Sequence, residues 1–136
     1  MKTGIVAGAF DVIHAGYIKM FLDAKSQCDH LIVALHEDPS LERPKKIQPS
    51  QSLEDRKIIL SSIKYIDEVI SYKTELDFER LLVEIKPDIR ILGSDYKDKE
   101  FTGKGLDIDL YFHDRDHGRS ATSLKKDIAS RLGFNT

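Results

Sequence analysis

The sequence has little of several features that would mark particular classes of protein. Cys28 is the one cysteine among 136 residues, which excludes an intramolecular disulfide and predicts a lone buried thiol at the end of a helix. No apolar run approaches the roughly 20 residues needed to span a bilayer. The chain also enters a strand after its first residues, without an apolar targeting segment. We therefore expect a soluble, cytoplasmic protein with no membrane partner.

An excess of either charge is also missing. The 21 basic and 23 acidic residues leave a net charge of -2, so a large nucleic-acid footprint is not expected. No cysteine cluster or histidine–carboxylate spacing indicates a structural metal site, and His113 and His117 alone are too weak a signal. Without an internal repeat, linker or low-complexity tract, residues 1–136 are predicted to form one domain.

Apolar runs alternate with amphipathic segments along the whole chain. Strands are predicted at 3–7, 29–36, 67–72, 89–93 and 109–113, and helices at 18–24, from Ser52 onward, at 76–86 and at 121–132. The second helix is predicted to bury Ile58, Ile59, Ile63 and Ile66, with Arg56 either a surface charge or a phosphate clamp. This alternation predicts an α/β fold, a Rossmann-like doubly wound sheet of about five parallel strands with helices on both faces.

Residues 8–17 lie where the first strand passes into a helix. Gly8 and Gly16 let the backbone turn tightly and approach a ligand, and the start of the helix offers free N–H groups to phosphate. His14 lies at the mouth of this turn, where an imidazole can donate to phosphoryl oxygens and stabilise the charge of a leaving pyrophosphate. The alternative is an ordinary turn with a chance histidine.

Other candidate residues follow the remaining strands, at the sheet edge where such folds bind ligands. In residues 115–122, Ser120 or Thr122 can cap the last helix, whose N–H groups, together with Arg115 and Arg119, can meet an anion. The alternative is a well-capped helix. Residues 37–50 form a basic loop in which Lys45 and Lys46 are either solvated charges or a flap closing over phosphates. Asp38 and Asp95 can orient a hydroxylated substrate or a metal-bound water.

Residues 8–17, Gly-Ala-Phe-Asp-Val-Ile-His-Ala-Gly-Tyr, resemble the Gly-x-Phe-Asp-x-x-His-x-Gly-His signature of the nucleotidyltransferase superfamily. The similarity is strongest to its glycerol-3-phosphate cytidylyltransferase branch. Three further segments resemble motifs of that branch in the same order: 55–57 with 63–69 resemble His-Arg-Lys and Arg-Tyr-Val-Asp-Glu-Val, 93–96 resemble Gly-Asp-Asp-Trp, and 115–122 resemble Arg-Thr-Glu-Gly-Ile-Ser-Thr-Thr.

The resemblance implies transfer of a cytidylyl group from CTP, with Mg²⁺, to a phosphorylated polyol, glycerol phosphate first, for cell-surface polymer synthesis. It implies that His14 contacts the phosphates in the transition state and that Lys45 or Lys46 binds them from the other side. Ser120, Ala121 and Thr122 would hold the triphosphate. The other implied nucleotide contacts are Gly8, Ala9, Phe10, Asp11, Gly16 and Arg115, and the implied acceptor contacts are Asp38, Arg56 and Asp95.

Mg²⁺ would be bound through the phosphates, with Asp11 organising the turn or a magnesium-bound water. Members of the branch commonly form dimers, so the resemblance leaves a homodimer open.

Tyr17 is the main departure from the signature, because it stands in place of the second histidine. It keeps a neutral hydroxyl donor near the phosphates but loses a group that can be cationic. Two alternatives therefore stay open. One is an adenylyltransferase of the same fold that uses ATP, and the other is a catalytically weakened nucleotide-binding subunit.

Overall fold

The computed structural model describes residues 1–115 and 120–134, and these contain five strands and four α-helices. The strands are β1 (Thr3–Gly8), β2 (His30–His36), β3 (Glu68–Tyr72), β4 (Ile89–Gly93) and β5 (Asp109–His113). The helices are α1 (Ala15–Ser26), α2 (Leu53–Ser61), α3 (Glu75–Ile85) and α4 (Ala121–Arg131). Short 3₁₀ turns lie at Pro39–Leu41 and Ser94–Tyr96. Over these described ranges, no helix is long and apolar enough to cross a membrane.

The strands form one parallel sheet in the order β3-β2-β1-β4-β5. Ile5 of β1 is in register with Ile32 of β2 on one side and with Arg90 of β4 on the other. Chain order reverses on the two sides of β1, so a crevice opens between the carboxyl ends of β1 and β4, the usual ligand position in such sheets. The predicted fold class is confirmed.

Two hydrophobic cores cover the two faces of this sheet. Val6 packs on one face with Phe21 of α1 and Leu60 of α2. Its neighbour Ile5 points to the opposite face, where it packs with Phe78 of α3. Alternate residues of a strand point to opposite faces, so the apolar run of β1 is buried on both sides, as expected for a central parallel strand.

The buried face of α2 differs from the prediction. Ile58 is 59% exposed, whereas Arg56 is 2% exposed and Leu60 is fully buried. Residues 53, 56, 60 and 63 recur at helical spacing and face the core, but Arg56 interrupts the apolar pattern that the other three residues form in the sequence. Ile63 and Ile66 pack in the core as predicted, but they follow the end of α2 at Ser61. Within the helix, the buried residues are Arg56 and Leu60 rather than Ile58.

Cys28 follows α1 and is partly buried. Its Sγ donates to the carbonyl oxygen of Ala24 at 3.4 Å. Burial raises the pKa of the thiol above its ordinary value. The thiol therefore stays protonated near neutral pH and packs against Gly4, whose missing side chain leaves room for the sulfur.

Candidate active site

A cleft of about 1170 Å³ opens at the carboxyl edge of the sheet. The ends of β1, β4 and β5, the basic loop and the start of α4 all contribute to its walls. It brings together most of the candidate residues, namely Gly8, Ala9, Phe10, Asp11, His14, Gly16, Tyr17, Lys45, Lys46, Asp95, Arg115, Ser120, Ala121 and Thr122. Residues that are distant in sequence thus share one cavity.

His14 is the N-cap residue of α1. Its Nδ1 accepts a hydrogen bond from the backbone N–H of Gly16 at 3.0 Å. Because Nδ1 acts as the acceptor, the proton of the neutral ring lies on Nε2. The cap therefore fixes the tautomer in which Nε2 is a hydrogen-bond donor, as a phosphate ligand requires.

Tyr17 lies in the first turn of α1, with its ring against that of His14 at a centroid distance of 4.3 Å. It also meets the rings of Phe10 at 5.2 Å and Phe21 at 6.4 Å. Burial raises the pKa of its hydroxyl, so the side chain stays neutral through the physiological range. Tyr17 thus packs behind the imidazole of His14 while still lining the cleft.

Asp11 joins the turn after β1 to two other parts of the chain. Its carboxylate is buried and accepts from the backbone N–H groups of Ser50 at 2.8 Å and Gln51 at 2.9 Å. Lys125 of α4 donates to it at 2.8 Å. Burial alone would raise the pKa of Asp11, but the hydrogen bonds from Lys125, Ser50 and Gln51 outweigh burial and hold the pKa below its ordinary value. The geometry favours a role for Asp11 in organising the turn.

Gly93 ends β4 and lets Asp95 and Arg115 meet across it. A Cβ at this position would lie 2.6 Å from the Asp95 carboxylate and 2.8 Å from Arg115 Cδ. The two side chains form an ion pair, with Arg115 Nη1 3.4 Å from Asp95 Oδ1. Since both are half-exposed and line the cleft, this pair can open to meet a ligand.

The start of α4 forms another wall of the cleft. Ser120 is its N-cap residue, and its Oγ accepts from the N–H of Ser123 at 3.0 Å. Ala121 and Thr122 belong to the first turn, where helical N–H groups lack intrahelical acceptors. Lys125 lies one turn further and also lines the cleft. Arg119, with the rest of 116–119, lies outside the described residues.

The basic loop approaches the cleft from the ends of β2 and α2. Lys45 and Lys46 are both exposed and line the cavity. Arg43 is instead tied to α3, because its Nη2 donates to Glu75 Oε1 at 3.0 Å. The loop therefore carries two exposed ammonium groups next to an anchored guanidinium.

Arg56 and Asp38 do not line the main cleft but a second pocket beside residues 48–53, and their assignment to the acceptor stays a prediction. The guanidinium of Arg56 donates to the carbonyls of Ala9 at 3.0 Å, His36 at 2.8 Å and Glu37 at 2.6 Å. Asp38 accepts from the N–H and the hydroxyl of Ser40 at the start of a 3₁₀ turn. Both side chains thus form hydrogen bonds within the protein, Arg56 with backbone carbonyls and Asp38 with Ser40. Arg56 joins the end of β1 to the end of β2.

Several cleft residues were not identified as candidate site residues from the sequence, and five of them form a stack that we call the stacked column. It consists of His36, Tyr72, Phe78, Arg90 and Phe101. Successive members lie 4.7 Å, 4.9 Å, 4.9 Å and 5.0 Å apart. Each lines the cleft. A single sequence signal could have found it, namely a charged residue, Arg90, inside the otherwise apolar strand β4.

His113, at the end of β5, is a further cleft residue. Its Nδ1 lies 2.7 Å from Asp23 Oδ2, and the hydroxyl of Tyr111 donates to the other oxygen of Asp23 at 2.8 Å. That hydrogen bond raises the pKa of Tyr111. Asp23 of α1 therefore fixes the orientation of the His113 ring through its Nδ1.

A metal ion held by the protein alone needs several His, Cys, Asp or Glu ligands. Across 1–115 and 120–134, no group of three or more His, Cys, Asp or Glu side chains could hold one. The oxygens of Asp11 already accept three protein donors. Mg²⁺ commonly binds through substrate phosphates and water with few protein ligands, and the donors of this cleft fit that mode.

Comparison with known proteins places the chain in a family. A model of the cytidylyltransferase-like family matches residues 5–116. The bifunctional protein HldE of Campylobacter concisus is 34% identical over 128 residues, and that of Wolinella succinogenes is 36% identical over 128 residues. Each alignment covers 93% of this chain and 27% of the relative, so the chain spans about a quarter of the length of these proteins.

Solved structures share the fold. The lipopolysaccharide core biosynthesis protein of Thermoplasma volcanium has a TM-score of 0.63 and 24% identity, over 100% of this chain and 92% of that one. Pantothenate synthetase of Thermus thermophilus has a TM-score of 0.59 and 12% identity, over 84% of this chain and 56% of that one. The family match covers residues 5–116, including the turn around His14, and the chain belongs to the cytidylyltransferase-like family of the nucleotidyltransferase superfamily.

Proposed function

We propose that the chain transfers a nucleotidyl group from a nucleoside triphosphate, CTP first, to a phosphorylated polyol and releases pyrophosphate. The supporting observation is the convergence of donors on one cleft. His14, the first turn of α4 and the lysines Lys45, Lys46 and Lys125 all line its walls. Such donors suit a triphosphate, because they match the negative charge that develops as pyrophosphate leaves.

The reaction needs no protein base or covalent intermediate. A phosphate monoester is already largely ionised at neutral pH, so its oxygen can attack the α-phosphorus directly. The new bond joins the acceptor phosphate to the nucleotidyl group, and the bond to the β-phosphate oxygen breaks. His14 donates from Nε2 to the phosphates, and Lys45 or Lys46 neutralises charge from the opposite wall. Catalysis then consists of positioning and charge stabilisation.

Mg²⁺ is part of the proposal as an ion carried by the triphosphate, where it neutralises phosphate charge. The residues that would hold the triphosphate are those of the turn and of the start of α4. Asp11 acts by fixing the turn relative to Lys125 and residues 50–51.

ATP is the second candidate donor. The relatives named above are bifunctional HldE proteins rather than glycerol phosphate cytidylyltransferases. Loop residues define the nucleobase and acceptor pockets in folds of this kind, and here these loops depart from the cytidylyltransferase motifs at Ser94 and Ala121. The choice between CTP and ATP as the donor therefore has to be measured.

The test is pyrophosphate release from each of the four nucleoside triphosphates with Mg²⁺ and a panel of polyol and sugar phosphates. We expect release with CTP or ATP that depends on the acceptor. Nucleotide binding without release for any pair would overturn the transferase proposal and favour a nucleotide-binding subunit. Omission of Mg²⁺, with EDTA present, is expected to abolish release, and undiminished release would contradict the role of the ion.

A further inference from the structure

The part of the cleft beside the start of α3 has a chemistry unlike that of the part beside the start of α4. There Glu75, at the start of α3, is held over the stacked column. Arg43 Nη2 donates to Glu75 Oε1 at 3.0 Å, and Thr102 Oγ1 donates to Oε2 at 2.7 Å. The Nδ1 of His36 lies 3.8 Å from Oε1. Because a carboxylate oxygen has two lone pairs, each oxygen of Glu75 can accept one further donor.

Arg90 contacts the residues that hold Glu75 in place. It is 6% exposed, and its guanidinium lies between the rings of Phe78 and Phe101. Its Nη1 donates to the carbonyl oxygen of Thr102, the residue whose hydroxyl holds Glu75. Its Nε has no hydrogen-bond partner among residues 1–115 and 120–134. Arg90 therefore determines where residues 101–102 lie, and through them the position of the carboxylate.

The charge at Glu75 decides which substrate this side can take. The carboxylate neutralises the charge of Arg43. Its oxygens can still accept hydrogen bonds from hydroxyl groups, which are the other polar groups of a phosphorylated polyol. The cleft volume of about 1170 Å³ exceeds the range of about 300–1,000 Å³ typical of pockets for one small ligand. There is room for a nucleotide beside α4 and for an acceptor beside α3.

We propose that Glu75 is the specificity residue that receives hydroxyl groups of the acceptor, with Thr102 and Arg90 as its positioning residues. The inference rests on the proposed function and identifies the part of the cleft that recognises the acceptor substrate. The ligand is a phosphate monoester with at least one free hydroxyl group. Its phosphate points toward Lys45, Lys46 and the nucleotide, and its hydroxyl groups point toward Glu75.

The test compares phosphates with and without hydroxyl groups. Glycerol 3-phosphate is paired with n-propyl phosphate, and glucose 1-phosphate with cyclohexyl phosphate. Calorimetry measures the affinity of each for the unmodified protein, Glu75→Gln and the control Glu79→Gln, an exposed residue one turn along the same helix. A hydrogen bond to a charged group commonly changes affinity by about tenfold or more. We expect the unmodified protein and the control to prefer the hydroxylated member of at least one pair by about that factor.

Glu75→Gln is expected to lose most of this preference, while its affinity for the hydroxyl-free phosphate and for the nucleotide stays the same. Glutamine keeps an oxygen for Thr102, so the variant retains the local fold. Arg90→Lys keeps the charge but not the planar stacking, and is expected to weaken the same preference without changing nucleotide affinity. A loss of melting temperature and of both affinities together would indicate a merely structural role and overturn the assignment of Arg90.

An unchanged preference in Glu75→Gln, or no preference by the unmodified protein in either pair, would overturn the inference. Turnover assays separate it from the proposed function. If the unmodified protein releases pyrophosphate and Glu75→Gln has an unaltered acceptor KM, the function stands and the inference fails. If the hydroxyl preference depends on Glu75 but no pair of substrates reacts, the inference stands and the transferase proposal fails.

Discussion

On one side of the cleft, residues 8–17 supply backbone N–H groups, a capped imidazole and a tight turn from a single stretch of chain. On the other side, His36, Glu75 and Arg90 come from three separate elements and meet only through the fold. The first side has helix N–H groups and the imidazole of His14, which suit phosphate. The second has a carboxylate held by Arg43 and Thr102, and its oxygens suit neutral hydroxyl groups. The turn that we propose contacts the triphosphate is thus local in sequence, and the residues proposed to bind the acceptor are dispersed.

Arg56 connects the two sides, so its loss is expected to have the largest effect. Its Nη1 donates both to the carbonyl of Ala9, in the turn, and to that of His36, at the end of β2. Arg56→Met would leave several buried carbonyls without donors, each costing about 1–3 kcal/mol. We expect the free energy of unfolding to fall by about 3 kcal/mol or more, measured by urea denaturation. Burial also lowers the pKa of Arg56, but the guanidinium stays charged at any pH used here.

Lys57→Met is the matched control, since Lys57 is the adjacent cation on α2 and is only partly buried. Surface changes of this kind stay within about 0.5 kcal/mol. Equal stability of the two variants would show that the carbonyls around Arg56 do not depend on it.

His14 tests the phosphate side alone. His14→Ala is expected to lower turnover about a hundredfold or more, as loss of a donor to the transition state does, and to cost about 1 kcal/mol of stability through the lost N-cap. His14→Asn separates the two effects, because asparagine caps helices well but cannot place a donor where Nε2 lies. Stability should return while turnover stays low in steady-state pyrophosphate assays. A folded Asn variant with normal turnover would refute the catalytic role.

The same contrast explains how far sequence reasoning reached. The strands and the turn were predictable because their signals are contiguous: an apolar run, glycines and a histidine at fixed spacing. Arg56 was misplaced because a charged residue is normally exposed, and only the carbonyl ends of β1 and β2 make its burial favourable. Arg90 was missed because its charge inside the apolar strand β4 marks it as unusual but does not show that Phe78 and Phe101 will enclose it. That Lys45 or Lys46 binds the phosphates is still a prediction.

Asp11 links the turn to α4 and makes stability depend on pH. Its pKa is lowered in the folded protein, so its contribution is present above the unfolded pKa of about 4 and is lost as pH falls through the folded value, which lies lower. Asp11→Asn is expected to cost about 2 kcal/mol at pH 7. The difference from the unmodified protein should shrink as pH falls below about 4, in denaturant titrations at a series of pH values.

Asp127→Asn is the control for Asp11, because Asp127 forms an exposed ion pair with Arg131 within α4. Exposed pairs contribute little, so this change should cost less than about 0.5 kcal/mol. A gap between Asp11→Asn and the unmodified protein that widened in acid would contradict the direction of the Asp11 pKa shift.

Tyr17 is expected to give the smallest effect and to show how the turn tolerates its departure from the family signature. Its ring packs on Phe10, Phe21 and the imidazole of His14, and its hydroxyl stays protonated because burial raises its pKa. Tyr17→Phe keeps the ring contacts and should change turnover less than His14→Ala. Tyr17→His restores a ring nitrogen donor near the phosphates, so turnover should be preserved or raised, in the same pyrophosphate assay. A Tyr17→His variant that folds but loses nucleotide binding would show that the ring supports the tautomer and position of His14, and that the phosphate side depends on packing as much as the acceptor side does.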